Sequence, residues 1–252
     1  MFLIGDLGNT HSKFTLCNLN SKKIKNYKSF NTSNILKNQK FKNFILRKNI
    51  KYVVVTSVVP NVSNKLKVFL QRKKIPCYEI LDKVFKKPIK LKVTKPNQVG
   101  SDRIANSIAA YALYKTNCII VDFGTATTFD ILSKKGFYLG GLITPGIKLT
   151  LKTLNQFTEK LPLISLKKTN QVIGKDTISA INSGIYWGYI GMINQIINKI
   201  ISTTKKKYKV ILTGGLSTIF SNSLVHKASI NKNITLQGVL ELINFNKHLF
   251  KS

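Results

Sequence analysis

Phe2-Leu3-Ile4-Gly5-Asp6-Leu7-Gly8-Asn9-Thr10 is an apolar run that ends in a carboxylate and then in a turn. An unbroken apolar segment bounded by Gly and Asn reads as a buried strand, so strands are expected over 2–7 and 13–19, joined by the Gly-Asn-Thr turn, with a third over 23–30. Alone, this pattern is an ordinary β-hairpin. The chain then repeats it. Cys118-Ile119-Ile120-Val121-Asp122 leads into Phe123-Gly124-Thr125, with further strands expected over 127–132 and 136–142. Both copies place an Asp at the end of the first strand, then a Gly, then a Thr. The repetition predicts an internal duplication: an α/β chain of two related domains, 1–115 and 116–252.

The segments between the hairpins fill in the layers. Residues 33–48 carry apolar positions at roughly helical spacing, Tyr52–Ser57 is a β-branched run typical of a buried strand, and Pro60 opens a helix with Val62, Leu66, Phe69 and Leu70 on one face. A long connection over 81–99 precedes a helix over 101–115. In the second half, helices are expected over 146–159 and 175–203, a strand over 209–213 ending in Gly214-Gly215, and a last helix over 236–249.

With 252 residues the chain can bury a core without disulfide or metal staples. Cys17, Cys77 and Cys118 are far apart, odd in number and free of CxxC spacing, so they read as small hydrophobes. The first residues lack a basic n-region, and no segment reaches the ~20 apolar residues of a membrane helix, so a cytoplasmic protein is expected. The formal net charge is +32, but the lysines are scattered from Lys13 to Lys251 and the arginines are only Arg47, Arg72 and Arg103. Dedicated nucleic-acid readers use clustered basic residues and bidentate Arg. The scatter argues against a nucleic-acid partner and for a basic surface that draws in anionic substrates.

Chemistry concentrates where acids meet glycines. The hairpin after Asp6 offers bare main-chain amides, Asn and Thr donors and the Lys13 charge, a setting that suits a triphosphate. The Asp122 hairpin repeats it with the hydroxyls of Thr125, Thr127 and Thr128. Carboxylates are hard donors, so Asp6 and Asp122 are candidate ligands for Mg2+ or a monovalent ion. No GxxxxGK[ST] loop is present, which excludes a P-loop kinase. Of nine acids, a third one in a glycine-marked turn is Asp102, within Gly100-Ser101-Asp102-Arg103 at a helix start. There the helix dipole favours an ionised carboxylate, and the Arg103 fork can grip a substrate carboxylate. Gly140-Gly141-x-x-x-Pro145-Gly146 and Gly174-x-x-Thr177-x-x-Ala180-x-x-Ser183-Gly184-x-x-x-Gly188 place small residues where a helix or substrate can come close. Thr177, at the exposed start of its helix, is the substrate candidate there, whereas Tyr186, Trp187 and Tyr189 read as packing or interface residues.

Taken in order, DxGNTxxK (6–13), GxDR (100–103), DFGTATT (122–128), GGxxxPG (140–146), GxxTxxAxxSGxxxG (174–188) and TGG (213–215) resemble the type III pantothenate kinases over nearly the full chain. The resemblance implies two ribonuclease H-like (actin-like) domains with a nucleotide cleft between them, a homodimer, and ATP-dependent phosphorylation of pantothenate as the first step of coenzyme A biosynthesis. It also implies Mg2+ and a monovalent cation, K+ or NH4+. Carried over by motif, Asp6, Leu7, Gly8, Asn9, Thr10, His11, Ser12, Lys13 and Thr125 would bind ATP, and Asp122 together with Asp6 would serve the metal ions. Gly100, Ser101, Asp102, Arg103 and Thr177 would bind pantothenate, with Asp102 as proton acceptor. Where that family often has a Tyr followed by Asn-Pro before GxDR, this chain reads Val93-Thr94-Lys95-Pro96, without the tyrosine. Two other readings keep the fold: a different actin-like small-molecule kinase, or a non-catalytic relative that serves transcription.

Overall fold

The computed structural model describes all residues except 20, 25, 47–49, 251 and 252. In chain order the elements are β1 Phe2–Leu7, β2 His11–Cys17, β3 Lys28–Asn31, α1 Gln39–Ile45, β4 Tyr52–Ser57, α2 Pro60–Gln71, β5 Cys77–Glu79, β6 Lys90–Leu91 and α3 Ser101–Tyr114. There follow β7 Cys118–Phe123, β8 Ala126–Leu132, β9 Phe137–Pro145, α4 Ile147–Gln156, α5 Thr177–Thr204, β10 Lys209–Gly214, α6 Ser217–Phe220, β11 Ala228–Ile230 and α7 Ile234–Phe245.

The duplication is visible in the strand order. One sheet runs β3-β2-β1-β4-β5 and the other contains β9-β8-β7-β10-β11, so each strand has a counterpart at the same place. In both, a hairpin pairs antiparallel and the next two strands join parallel. Register carries the correspondence to single residues. Asp6 faces Thr56 across β1 and β4, and Asp122 faces Thr213 across β7 and β10. Parallel pairing requires a crossover, and helices supply it on both occasions.

Two compact units result, one of Met1–Lys115, Gly136–Tyr138 and Asn233–Ser252, the other of Thr116–Lys135 and Leu139–Lys232. The first differs from the expected 1–115 domain chiefly in gaining α7. Gly238 explains this: a Cβ there would overlap the backbone of Ala105, so the two helices touch main chain to main chain. Thr235 donates to Asn106 Oδ1 at 2.8 Å across the same contact. The buried Gln237 accepts from Ile24 N–H at 3.1 Å and donates to Lys22 O at 3.0 Å, and Asn246 bonds both the N–H and the carbonyl of Lys86. These bonds also explain a local difference. Around Ile24 the main chain is held by a helix side chain instead of a strand ladder, so the third strand begins only at Lys28.

The core of the first unit gathers Leu3, Leu7, Phe14, Phe41, Val55 and Leu66. That of the second gathers Ile119, Val121, Phe129, Ile193, Leu212 and Phe220. The helix expected over 33–48 is instead a 3-10 turn, Thr32–Lys37, and then α1, with residues 47 and 48 outside the described set. Asn38 causes the break: its backbone is extended, and its side chain caps the new helix by accepting from Phe41 N–H at 3.1 Å. The three cysteines are free thiols, each pushed up to about 12 by burial, as small hydrophobes should be.

The α3–α7 contact yields a direct expectation. Replacing Gly238 with Ala should destabilise the protein by ~3 kcal/mol, because a methyl group must displace helix backbone. Replacing Gly215, where a Cβ meets nothing within 4 Å, should leave the urea midpoint nearly unmoved. Equal midpoints for the two variants would show that the helices do not meet main chain to main chain.

Candidate active site

The first hairpin is built so that only its tip is open. In β1 the fifth residue, Asp6, is partly exposed while its neighbours are buried. Leu7 and Ser12 are buried, Asn9, Thr10 and His11 are exposed, and Gly8 and Lys13 are intermediate. Leu7 and Ser12 can therefore offer a ligand only their main chain. Thr32, which no sequence motif singles out, holds the turn in shape. Its hydroxyl donates to Gly8 O at 2.7 Å and lies 2.9 Å from Ser12 Oγ, while its N–H donates to Thr10 O at 3.1 Å. Lys13 pairs in register with Asp6, and its ammonium stands 5.3 Å from the centre of the Tyr27 ring, a cation–π distance.

In the same unit, Asp102 lies in the first turn of α3. The helix cap, Gly100, provides no side-chain cap, and a Cβ on it would come within 2.6 Å of Asp102 Oδ1. Glycine is thus required for the carboxylate to take this position. The same Oδ1 accepts from Arg103 N–H at 2.8 Å. Burial pushes the Asp102 carboxyl above its ordinary value, opposed by that N–H and by the Arg103 charge. Desolvation is the largest of these influences, ahead of the N–H and the charge that favour the ionised form. Arg103 is steadied by the buried Tyr138, whose ring centre is 5.9 Å from its guanidinium carbon.

Ser101 takes a different place from the one expected. Its hydroxyl accepts from Thr56 Oγ1 at 2.7 Å and from Ser57 N–H at 2.9 Å, and donates to Ser57 O at 2.7 Å. One donor and two acceptor sites are the whole capacity of a serine hydroxyl. Ser101 therefore fastens α3 to the end of β4 and has no hydroxyl valence left for a substrate.

In the second unit, the Asp122 hairpin is enclosed by two glycines. A Cβ on Gly146 would overlap Thr125 O and lie 2.7 Å from Gly124 O. Gly146 N–H instead donates to Thr125 O at 3.1 Å. On Gly214 a Cβ would lie 2.5 Å from Phe123 O and 2.7 Å from Asp122 Oδ1, and its φ of +85° is left-handed, so glycine is needed twice over. The glycine thus lets Phe123 O and the Asp122 carboxylate pack directly against the main chain at the end of β10. Tyr189, expected to serve packing, also makes polar contacts. Its hydroxyl donates to Pro145 O at 2.6 Å, and Thr150 lies 3.2 Å from it. Burial raises the phenol, which keeps it a donor. Thr125 is exposed, and Thr177 is exposed as the first residue of α5, whose capping box joins Asp176 and Ser179. Bonds from Ser179 hold the Asp176 carboxyl below its usual value.

Among the described residues no group of three or more His, Cys, Asp or Glu could hold a metal ion by itself. No helix among them is long and apolar enough to cross a membrane.

A model of the type III pantothenate kinase family matches residues 2–199. A type III pantothenate kinase of Pelagibacter ubique (strain HTCC1062) is 44% identical over 251 residues, covering 95% of this chain and 97% of the relative. Another, of Koribacter versatilis (strain Ellin345), is 36% identical over 192 residues, 74% of this chain and 68% of its own. Among solved structures, a Campylobacter jejuni protein described as a Baf family transcriptional activator aligns with a TM-score of 0.64 at 23% identity, covering 98% of this chain and 99% of that one. Component A of (R)-2-hydroxyglutaryl-CoA dehydratase from Acidaminococcus fermentans gives 0.54 at 11% identity, covering 99% of each chain. A Porphyromonas gingivalis protein described as an N-acetylglucosamine kinase gives 0.50 at 11%, covering 98% of this chain and 100% of that one. At such identities the likeness is one of fold, and that fold is the two-domain actin-like α/β architecture. With one family matched across most of the sequence and its motifs seated at the strand ends and helix starts described above, the chain belongs to the type III pantothenate kinase family.

Proposed function

We propose that Asp102 is the proton acceptor in the reaction of this pantothenate kinase, the ATP-dependent phosphorylation of pantothenate that opens coenzyme A biosynthesis. The observation that carries the proposal is the placement of a desolvated carboxylate at the start of α3, fastened through Ser101 to the strand beside the one that bears Asp6. The primary hydroxyl oxygen of pantothenate bonds to the γ-phosphorus of ATP, the bond from that phosphorus to the β,γ-bridging oxygen breaks, and ADP leaves. The hydroxyl proton passes to the Asp102 carboxylate, giving 4′-phosphopantothenate. Burial makes that carboxylate a stronger base than an exposed one.

Phosphoryl transfer is mainly positioning and charge neutralisation. The amides of Gly8, Asn9 and Thr10 and the Lys13 ammonium bind the triphosphate, with Thr125 as a further ATP contact. Arg103 grips the pantothenate carboxylate from its support on Tyr138, and Thr177 adds a hydroxyl contact. Asp6 is one hard oxygen donor at a strand end and would be this chain's ligand to Mg2+, which would supply neutralisation of the triphosphate charge. Asp122, a partly exposed strand-end carboxylate like Asp6, fits a monovalent cation, K+ or NH4+.

The protein is further proposed to act as a homodimer through the second unit. Ile143, Phe157, Val172, Ile173 and Ile178 are exposed, the last four at 83%, 66%, 79% and 57%. On α5 the missing side chains of Gly184, Gly188 and Gly191 face open space, so a second helix can approach its backbone closely. Exposed apolar side chains and a bare helix backbone are what a dimer interface would cover.

Three measurements test these readings. In an ADP-release assay, turnover should depend on pantothenate and rise with potassium. Asp102→Asn should lower it by ~10²–10⁴-fold with ATP binding retained. Near-normal turnover in that variant would remove Asp102 from the base role, and salt-sensitive DNA binding without pantothenate-dependent ADP release would favour the transcription-related relative.

The same variant should alter stability with a definite sign. Because the folded pKa of Asp102 is raised, ionising it opposes folding as pH climbs from the unfolded pKa through the folded one. Asp102→Asn should therefore melt above the wild type at neutral pH, and the gap should close as pH falls through the raised pKa to the ordinary carboxylate range. A gap that widens in acid would show the carboxylate to be stabilised by its surroundings.

For the dimer, sedimentation should give twice the 28.3 kDa chain mass, with Ile173→Lys shifting it toward the monomer. A wild-type monomer at micromolar concentration would sink the proposal.

A further inference from the structure

Tyr52-Val53-Val54-Val55-Thr56-Ser57 is a strand whose interior is valine up to Thr56, and Thr56 itself has 0% exposure. A hydroxyl in such a place is unfavourable unless it is bonded, and valine would fill the same volume without that need. The Thr56 hydroxyl donates to Ser101 Oγ, 2.7 Å away and 45 residues on. Ser101 is 2% exposed and immediately precedes Asp102.

We infer that Thr56 is a positioning residue for catalysis, acting through the Ser101 hydroxyl to fix the Asp102 carboxylate relative to the hairpin that follows Asp6. Three features of the first unit carry this. Thr56 is the register partner of Asp6 across β1 and β4, so it stands one strand from the proposed phosphate-binding turn. The start of α3 has no side-chain cap of its own, and the three bonds of Ser101 tie it to β4. Finally, the anchor is saturated. With Thr56 as donor, Ser101 must turn its own proton to Ser57 O, so the hydroxyl has one orientation. Removing the Thr56 donor frees an acceptor site and lets the helix start shift, and small misplacements of a reacting group have large effects on rate.

The inference rests on Asp102 being the base, and the experiment separates the two. Thr56→Val keeps the shape and removes the donor. It should lower kcat by roughly 10- to 100-fold, while the ATP dissociation constant stays within about twofold of the wild type. Thr56→Ser restores the hydroxyl and should recover kcat to within about threefold. Thr56→Cys, with a weak donor, should fall between them, and it decides the matter if the valine variant does not fold. All are compared at a temperature where circular dichroism shows the native state. A folded valine or cysteine variant with wild-type kcat overturns the inference, as does a serine variant that loses as much as valine. Asp102→Asn is the control: if it retains turnover, the base assignment fails, whereas an inactive Asp102→Asn beside a fully active Thr56→Val defeats only the role given to Thr56.

Discussion

A strand covered on both faces can offer chemistry only at its end. β1 and β7 have the same burial sequence, four buried residues, one partly open residue and one buried residue, and in each the open residue is the aspartate. Parallel neighbours impose this arrangement, since their crossover helices cover the sheet and leave the carboxyl ends of the strands as the accessible rim. The hairpin turns, the helix starts and the glycines all serve those two ends. Asp102, in the first unit, stands at the start of α3 instead of at a strand end, and so depends on bonds to a strand for its placement.

These features differ in how plainly the sequence announces them. Phe2–Leu7 and Cys118–Phe123 are apolar runs that close on Asp and Gly, and the strand, the turn and the acid can be read within a few residues. Pro60 and Ser101 announce helix starts in the same local way. Thr32, Thr56 and Gln237 cannot be read so, because their partners lie 24, 45 and 213 residues away. A threonine that follows three valines is, to any periodicity argument, a β-branched residue in a buried strand. Its hydroxyl acquires meaning only when Ser101 stands beside it. Ser12 and Ser101 show the converse: both lie in motifs that read as ligand contacts, and both hydroxyls are bonded inside the protein.

The placement of α7 shows a limit of another kind. Each half ends in a helix that follows its last strand, α3 in one and α7 in the other, and a linear division of the chain assigns each to its own half. Gly238 and Ala105 bring the two helices into main-chain contact. A glycine in the middle of a helix weakens it by about 1 kcal/mol relative to alanine, so its presence at a closely packed crossing is understandable only from the partner. Gly146 and Gly214 are more legible, since each sits in a short glycine-rich motif next to a strand end, although the sequence does not say which oxygens they approach.

The chain carries 41 basic residues against nine acids, which bears on how Asp102 must work. A surface of scattered cations attracts anionic substrates at long range but, screened by salt over about 10 Å, adds little to the basicity of one particular carboxylate. Local burial does that, at a cost in stability, because an ionised group removed from water opposes folding. The opposition is sustainable only if neighbouring contacts hold the group in place without restoring its hydration. The hydroxyl pair of Thr56 and Ser101 and the contact between α3 and α7 meet that requirement, since they grip the helix and not the carboxylate. Arg103, through its N–H and its charge, and the N–H of Asp102 itself act on the carboxylate. Basicity is thereby set chiefly by burial, and the placement of the helix start by the hydroxyl pair.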